Sequence, residues 1–320
     1  MATLRQLANR ADKLLDDRQR ARFDELNSVE KLLFVRLITE MKGLLDVSDG
    51  RITSKKGYVT IAKAIDQVFD SVETSGLGPM GNNMVKDMVT VLATTGKYYS
   101  ALKIPRKGPF RDIQDAVDAT MRKRLGIDPE GGIQKKGYLD QLFATNPARD
   151  EIKKMVAKAV AGGIPPKKLQ EDLEMRITGG LTNSKGKWVD AKIAGVLERK
   201  LGGFVLGSYR LADNVTNNEF GKKLTLRYFI YSGGLIETSR QFCRKKNNKV
   251  FSTEEALRDW PLDPDLLKTK AERQLGGPPA DYQPLEDLGR WEGDSDHCRH
   301  RLLYISDQMA FDRRPELRRK

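Results

Sequence analysis

The hydrophobic period of this chain changes once, near Lys223, and this change constrains the fold more than any other feature. Upstream, apolar residues recur at a helical spacing of about 3.6 residues, as in the run from Val29 to Leu44. Downstream, residues 224–231 alternate with the strand period of two and are rich in aromatic side chains. We therefore expect an α+β, predominantly α protein: a long helical N-terminal region followed by a small α+β C-terminal domain with a few short strands.

The same change sets the domain boundaries that we predict. Residues 1–220 form a helical scaffold or docking region, residues 221–312 form the small C-terminal domain, and residues 313–320 form a basic tail. Strands are expected only in the C-terminal third.

Several helix ends can be predicted from local signals. Asn27 and Glu30 have the spacing of a capping box and predict a helix that ends near Gly43 or the turn at Asp49-Gly50. The glycines and proline of 76–79 predict a break. Pro147 and the Pro165-Pro166 pair each predict a helix start, because proline suits the first helical position. Ser252 or Thr253 is expected to cap a helix running toward Trp260.

The net charge of +13 indicates an acidic partner, of which nucleic acid is the obvious candidate. The Lys and Arg clusters are scattered, so we expect contact that is indifferent to base sequence. General solubility explains the same charge equally well. The candidate DNA contacts lie in the tail and are Arg313, Arg314, Arg318, Arg319 and Lys320.

No run of 18 apolar residues occurs, so we expect no membrane-spanning helix and no membrane partner. The N-terminal residues lack the apolar core of a secretory signal. Two cysteines do not form a disulfide framework, and this points to a reducing compartment.

The cysteines and histidines are confined to two short segments, as Cys243, His297, Cys298 and His300. Zinc at Cys243, Cys298 and His300 is one interpretation, but the segment around Cys243 supplies no second ligand nearby. We favour a structural cluster, with the two cysteines close together and buried. Arg299 and Arg301 are then expected to reach acidic residues such as Glu237. We predict no cofactor, no metal and no catalytic residue, hence no enzyme.

Four short segments resemble the Mu F-like domain of minor head proteins from tailed bacteriophages. They are the aromatic strand and turn of 228–234, the Thr-Ser and Phe-Cys elements of 238–243, the Asn-Lys-Val-Phe of 248–251, and the His-Cys-Arg-His-Arg-Leu of 297–302. The order and spacing fit over roughly 80 residues. Two departures are the Ser-Asp-His of 295–297, where the family commonly has His-Pro, and His300, where some members have a second cysteine.

The resemblance implies a virion protein of low copy number inside the head, made in the cytoplasm of a bacterial host. Its partners would be the portal protein, the major capsid protein or other head proteins, and packaged double-stranded DNA. It would act in head assembly, DNA packaging or genome ejection. The alternative is a nucleic-acid-acting enzyme, or an effector delivered with the genome, that uses the Cys/His cluster.

Overall fold

The computed structural model describes most of the chain. The described residues are 3–54, 57–105, 109–140, 147–181, 193–235, 237, 239, 241–260, 262, 263, 265, 285 and 300–319.

Long helices dominate the first part of the chain, as the spacing predicted. The elements up to residue 223 are α1 Leu4–Leu44, β1 Leu45–Ser48, β2 Arg51–Ser54, α2 Tyr58–Val72, a π-helical segment Glu73–Leu77, α3 Gly78–Ala101, α4 Phe110–Leu125, α5 Pro147–Gly162, α6 Pro166–Thr178 and α7 Val196–Lys223.

Short strands and helices follow. They are β3 Tyr228–Gly233, α8 Gln241–Lys246, β4 Val250–Ser252, α9 Thr253–Asp259, β5 His300–Ile305, α10 Asp307–Arg313 and a 3-10 helix Pro315–Arg319. The fold is therefore α+β and mainly α, which confirms the predicted class.

Three local predictions were wrong. The helix α1 begins at Leu4, so the Asn27–Glu30 spacing lies inside it and caps nothing at its start. Residues 76–79 do not interrupt the helical structure, because the π-helical segment leads directly into α3. Pro79 lies in the first turn of α3, where proline is tolerated. Strands are not confined to the last third, because β1 and β2 form an antiparallel hairpin around Asp49-Gly50.

The chain divides into two compact units, each built from separate stretches of sequence. The first unit comprises residues 1–19, 85–138 and 204–320, and the second comprises residues 20–84 and 139–203. Helices α1, α3 and α7 each contribute residues to both.

The second unit has an apolar core. The stripe of α1 from Leu26 to Met41 is buried, and helices α2, α5 and α6 bury their own apolar faces. Helix α5 packs against α2, α6 and β2, and the amide of Ile52 donates to the carbonyl of Ile164 at 3.0 Å. The hairpin is therefore held by α5 and the loop that follows it.

The first unit contains a three-stranded antiparallel sheet in the order β4-β3-β5. Strand β3 was expected from the alternation, and β4 from Val250-Phe251. Tyr228 and Ile230 pair with Ile305 and Leu303 of β5 on one face of the sheet. Phe229 and Tyr231 point to the opposite face, because successive side chains of a strand alternate.

Gly221, near the end of α7, has a defined reason to be glycine. A Cβ atom at this position would lie 2.7 Å from the ring of Tyr304 on β5. Any side chain there would push helix and strand apart.

Candidate functional site

Cys243 and His300 meet at one aromatic side chain, Tyr231 of β3. The hydroxyl of Tyr231 lies 3.4 Å from the Sγ of Cys243. The imidazole of His300 stacks on the Tyr231 ring, with ring centroids 4.6 Å apart and an angle of 10° between the planes. Both residues are buried. The structure thus brings together two members of the predicted cluster, although they lie 57 positions apart in the sequence.

The other two members, His297 and Cys298, lie outside the described residues. The predicted proximity of Cys243 and Cys298, and zinc at Cys243, Cys298 and His300, therefore stay predictions. Among the residues that the structure does describe, no three His, Cys, Asp or Glu side chains are grouped so that they could hold a metal ion.

The Tyr231 side chain belongs to an aromatic cluster centred on Trp260, which we call the Trp260 cluster. Its members are Phe229, Tyr231, Phe242, Phe251 and Trp260. The ring centroids of the other four lie 5.2–5.5 Å from that of Trp260, at angles close to perpendicular. Edge-to-face pairs of this kind add about 0.5–1.5 kcal/mol each beyond burial. The cluster gives the small sheet a packed face.

Arg301 does not reach Glu237, contrary to the sequence-based expectation. Its guanidinium is buried, Nη2 lies 2.9 Å from Oδ1 of Asp12, and Nη1 lies 3.7 Å from Oδ1 of Asp213. Nη2 also donates to the carbonyl of Ala8 at 3.2 Å. The residue therefore joins β5 to α1 and α7 within the first unit.

Polar side chains continue from this arginine into the middle of α7. Asn217 donates to Oδ1 of Asp213 at 3.0 Å and accepts from the hydroxyl of Tyr99 at 2.8 Å. The same hydroxyl accepts from the amide of Tyr304 at 3.3 Å. We call Asp12, Tyr99, Asp213, Asn217 and Arg301 the Arg301 network.

Burial and neighbouring charges together shift the pKa values of three members of this network. Burial disfavours the charged form of Arg301, but Asp213 and Asp12 outweigh it and raise the pKa of the guanidinium above its usual value. Burial raises the pKa of the Asp12 carboxyl, Arg301 opposes this, and Asp213 and Asp16 reinforce it. Burial also holds the pKa of Tyr99 well above its usual value. Arg301 and neutral Tyr99 are thus fixed hydrogen-bond donors at neutral pH.

The polar run of α7 was the sequence signal that could have revealed the network. Asp213, Asn214, Thr216, Asn217 and Asn218 interrupt the apolar spacing of this helix, yet all are buried. Polar residues on a buried face must find partners. The spacing alone does not say which partners, because those come from α1, α3 and β5.

The basic tail has a mixed environment. Arg314 donates to both carboxylate oxygens of Glu255 and to the carbonyl of Val250, so its guanidinium is held against α9 and β4. Arg313 and Arg318 are exposed, and Arg318 lies over the ring of Phe311. Arg319 ends the 3-10 helix.

Lys320, the last of the candidate DNA contacts, lies outside the described residues. Of the remaining four, the exposure of Arg313 and Arg318 fits contact with a phosphate backbone, and the pairing of Arg314 fits a structural role.

No described helix combines the length and the apolar character that crossing a membrane requires. Comparisons of the chain with family models, with curated protein sequences and with solved structures found no match.

Proposed function

We propose that the protein is a minor head protein of a tailed bacteriophage, located inside the capsid and associated with the portal. It would act in head assembly, DNA packaging or genome ejection. The proposal starts from the resemblance of four short segments to the Mu F-like domain.

The observation that carries the proposal is that parts of all four segments contribute to one structural element. Residues 228–233 form the central strand β3, and 250–252 pair with it as β4. Residues 300–305 pair with its other edge as β5. Phe242 and Cys243 contact Tyr231 of the same strand. The four segments thus lie together around one strand, which is the arrangement expected if they belong to a single domain.

Contact with packaged DNA forms the second part of the proposal. The net charge of +13 and the exposed side chains of Arg313 and Arg318 support it. We expect no preference for one base over another, because exposed arginines bind phosphates by charge. The partner would be duplex DNA of any sequence.

The first experiment asks whether the protein is part of the particle. Particles of the phage or prophage that carries the gene are purified by density gradient and analysed by quantitative mass spectrometry. We expect the protein at low copy number, together with the portal and major capsid proteins. Abundance in the host cytosol with absence from purified particles would refute the proposal.

The second experiment measures duplex DNA binding by the purified full chain at increasing salt. Affinity is expected to fall steeply, since each neutralised phosphate releases counterions. The variant Arg313→Gln/Arg318→Gln should weaken binding and reduce the slope of log affinity against log salt by roughly 1–2. The control Arg20→Gln/Arg111→Gln removes two exposed arginines elsewhere. Equal losses in both variants would show that the tail has no special role.

A further inference from the structure

A cavity of about 400 Å³ lies within the first unit, and its size falls in the range of small-molecule sites. It is bounded by the first turns of α1, by Tyr98 of α3, and by the face of β3 and β5 that carries Ile230 and Leu303. The sequence analysis did not predict it, although Ile230, Asn248 and Arg301 of the quoted segments line it.

The charged side chains that line the cavity are mainly cationic. Arg5, Arg301 and Arg313 line it, and Asp12 is the one carboxylate among the described lining residues. Asp213 is not part of the lining, but its Oδ1 lies 3.7 Å from Nη1 of Arg301. The lining therefore carries three guanidinium groups and one carboxylate, and Asp213 offsets part of the charge of Arg301.

Arg301 is the buried cation of this site. It is only 4% exposed, and its Nε finds no hydrogen-bond acceptor among the described residues. A buried donor without an acceptor is costly, by about 1–3 kcal/mol. Since Arg301 lines the cavity, an oxyanion bound there could supply the missing acceptor.

The other lining residues suit the organic part of a ligand that carries such an anion. Leu4, Ile230 and Leu303 offer apolar contact, while Asn9 and Asn248 offer amide groups for orientation. Ligand sites commonly combine an apolar lining with a few placed polar groups of this kind.

We propose that this cavity binds a small phosphate monoester, with the phosphate against Arg5, Arg301 and Arg313 and the organic body against the apolar side chains. Guanidinium groups bind phosphate oxygens in pairs, and three guanidinium groups around one cavity suit the several oxygens of a phosphate monoester. This proposal does not rest on the virion assignment, because ligand binding is measured on the purified protein.

The experiment is isothermal titration calorimetry on the full chain with three probes: inorganic phosphate, a nucleoside 5′-monophosphate and the same nucleoside without phosphate. We expect saturable binding of the monophosphate and binding at least roughly tenfold weaker for the nucleoside, since charge-assisted hydrogen bonds are lost. Failure of both phosphate-bearing probes to bind saturably would overturn the proposal.

Two matched double variants locate the site. Arg5→Gln/Arg313→Gln changes two exposed cavity arginines and should weaken monophosphate binding roughly tenfold or more. Arg10→Gln/Arg20→Gln removes the same charge from exposed positions of α1 that do not line the cavity. Its affinity should stay within about twofold of the unmodified protein. An equal loss in the control would reduce the effect to general electrostatics and overturn the proposal.

Competition with DNA identifies the source of the phosphate. Short duplexes with a 5′-phosphate or a 5′-hydroxyl are added to the preformed monophosphate complex. Displacement by the phosphorylated duplex alone assigns the site to a nucleic-acid end, and displacement by neither assigns it to a free small molecule. Equal displacement by both would indicate nonspecific attraction and contradict specific binding of a phosphate monoester in the cavity.

Discussion

The two compact units differ in how many polar side chains they bury. Among the described residues, the second unit buries Arg22, Glu30 and Thr178 as its polar side chains. The first unit buries many more: Gln19, Asp87, Thr95, Ser208, Asp213, Asn214, Thr216, Asn217, Asn218, Asp265, His300 and Arg301.

The charged contacts of the second unit lie mostly nearer the surface. Arg149 contacts Asp66 at 3.4 Å and Asp70 at 2.7 Å, and all three side chains are partly exposed. Exposed pairs contribute little, about 0–1 kcal/mol. The core of this unit is mainly apolar, whereas the core of the first unit combines apolar packing with many buried polar contacts. The first interior should therefore tolerate fewer substitutions.

The largest expected difference follows from removing one buried charge. Arg301→Met leaves Asp213 buried without its cation, and we expect a loss of about 3–5 kcal/mol in the free energy of unfolding. Arg149→Met in the second unit is expected to cost about 0–1 kcal/mol. Urea unfolding followed by circular dichroism measures both, and hydrogen exchange reports which unit opens. Equal losses in the two variants would remove the contrast between the units.

Glu30 is a fully buried charged residue of the second unit and sharpens the comparison. Its fully buried carboxylate Oε1 accepts from the amides of Leu197 and Glu198, both at 2.8 Å, in the first turn of α7. A Cβ atom at position 195 would collide with this carboxylate, so Gly195 is required there.

Glu30→Ala should cost about 1.5–3 kcal/mol, because hydrogen bonds to a charged group are lost at a helix N-terminus. Glu30→Gln keeps an acceptor and should cost less. The measurement is the midpoint of urea unfolding for both variants. An Ala variant as stable as the Gln variant would show that the carboxylate does not stabilise the helix.

A smaller effect is expected from the hydroxyl of Tyr99. Tyr99→Phe removes the partner of Asn217 and of the Tyr304 amide in a buried setting, at a cost of about 1–3 kcal/mol. The control Tyr58→Phe alters an exposed ring and should stay within about 0.5 kcal/mol. The measurement is the thermal unfolding midpoint of each variant, compared with that of the unmodified protein. A neutral Tyr99→Phe would mean that Asn217 is satisfied without this hydroxyl.

The smallest expected effect is a pH dependence carried by Asp12. Because the pKa of its carboxyl is raised in the folded protein, the folded state holds this proton more tightly than the unfolded state does. The contribution of Asp12 to stability is therefore present at acidic pH, below the ordinary value of 3.8. It is lost as pH rises through the raised pKa.

Comparing Asp12→Asn with the unmodified protein from pH 3 upward isolates this contribution. The difference in unfolding free energy should shift in favour of the Asn variant as pH rises. A difference that is constant with pH would show that the Asp12 carboxyl titrates alike in both states.

Elements with strong local signals were predictable. Pro147 and Pro166 each begin a helix, and the hydroxyl of Ser252 accepts from the amide of Glu255 as a cap. In each case the residues that decide the outcome are near neighbours in sequence, so the relevant physics is local.

Features set by distant partners could not be predicted. Glu30 has the spacing of a local cap, but its carboxylate binds amides at positions 197 and 198. The sequence analysis did not predict strand β5, whose place in the sheet is defined by pairing with β3. Glu237 follows β3 closely in the sequence, yet Arg301 pairs with Asp12 and Asp213, because the tertiary fold determines which carboxylates reach a buried guanidinium.

The placement of β5 has a consequence for the order of synthesis. Strand β3 is complete at residue 233, but its partner β5 ends at residue 305. A ribosome that adds roughly 5–20 residues per second leaves one edge of β3 unpaired for several seconds. During that time Asp213 also lacks Arg301. The nascent first unit should therefore be open to chaperones and proteases until translation passes β5, and its closure is a late event that joins the beginning, middle and final part of the chain.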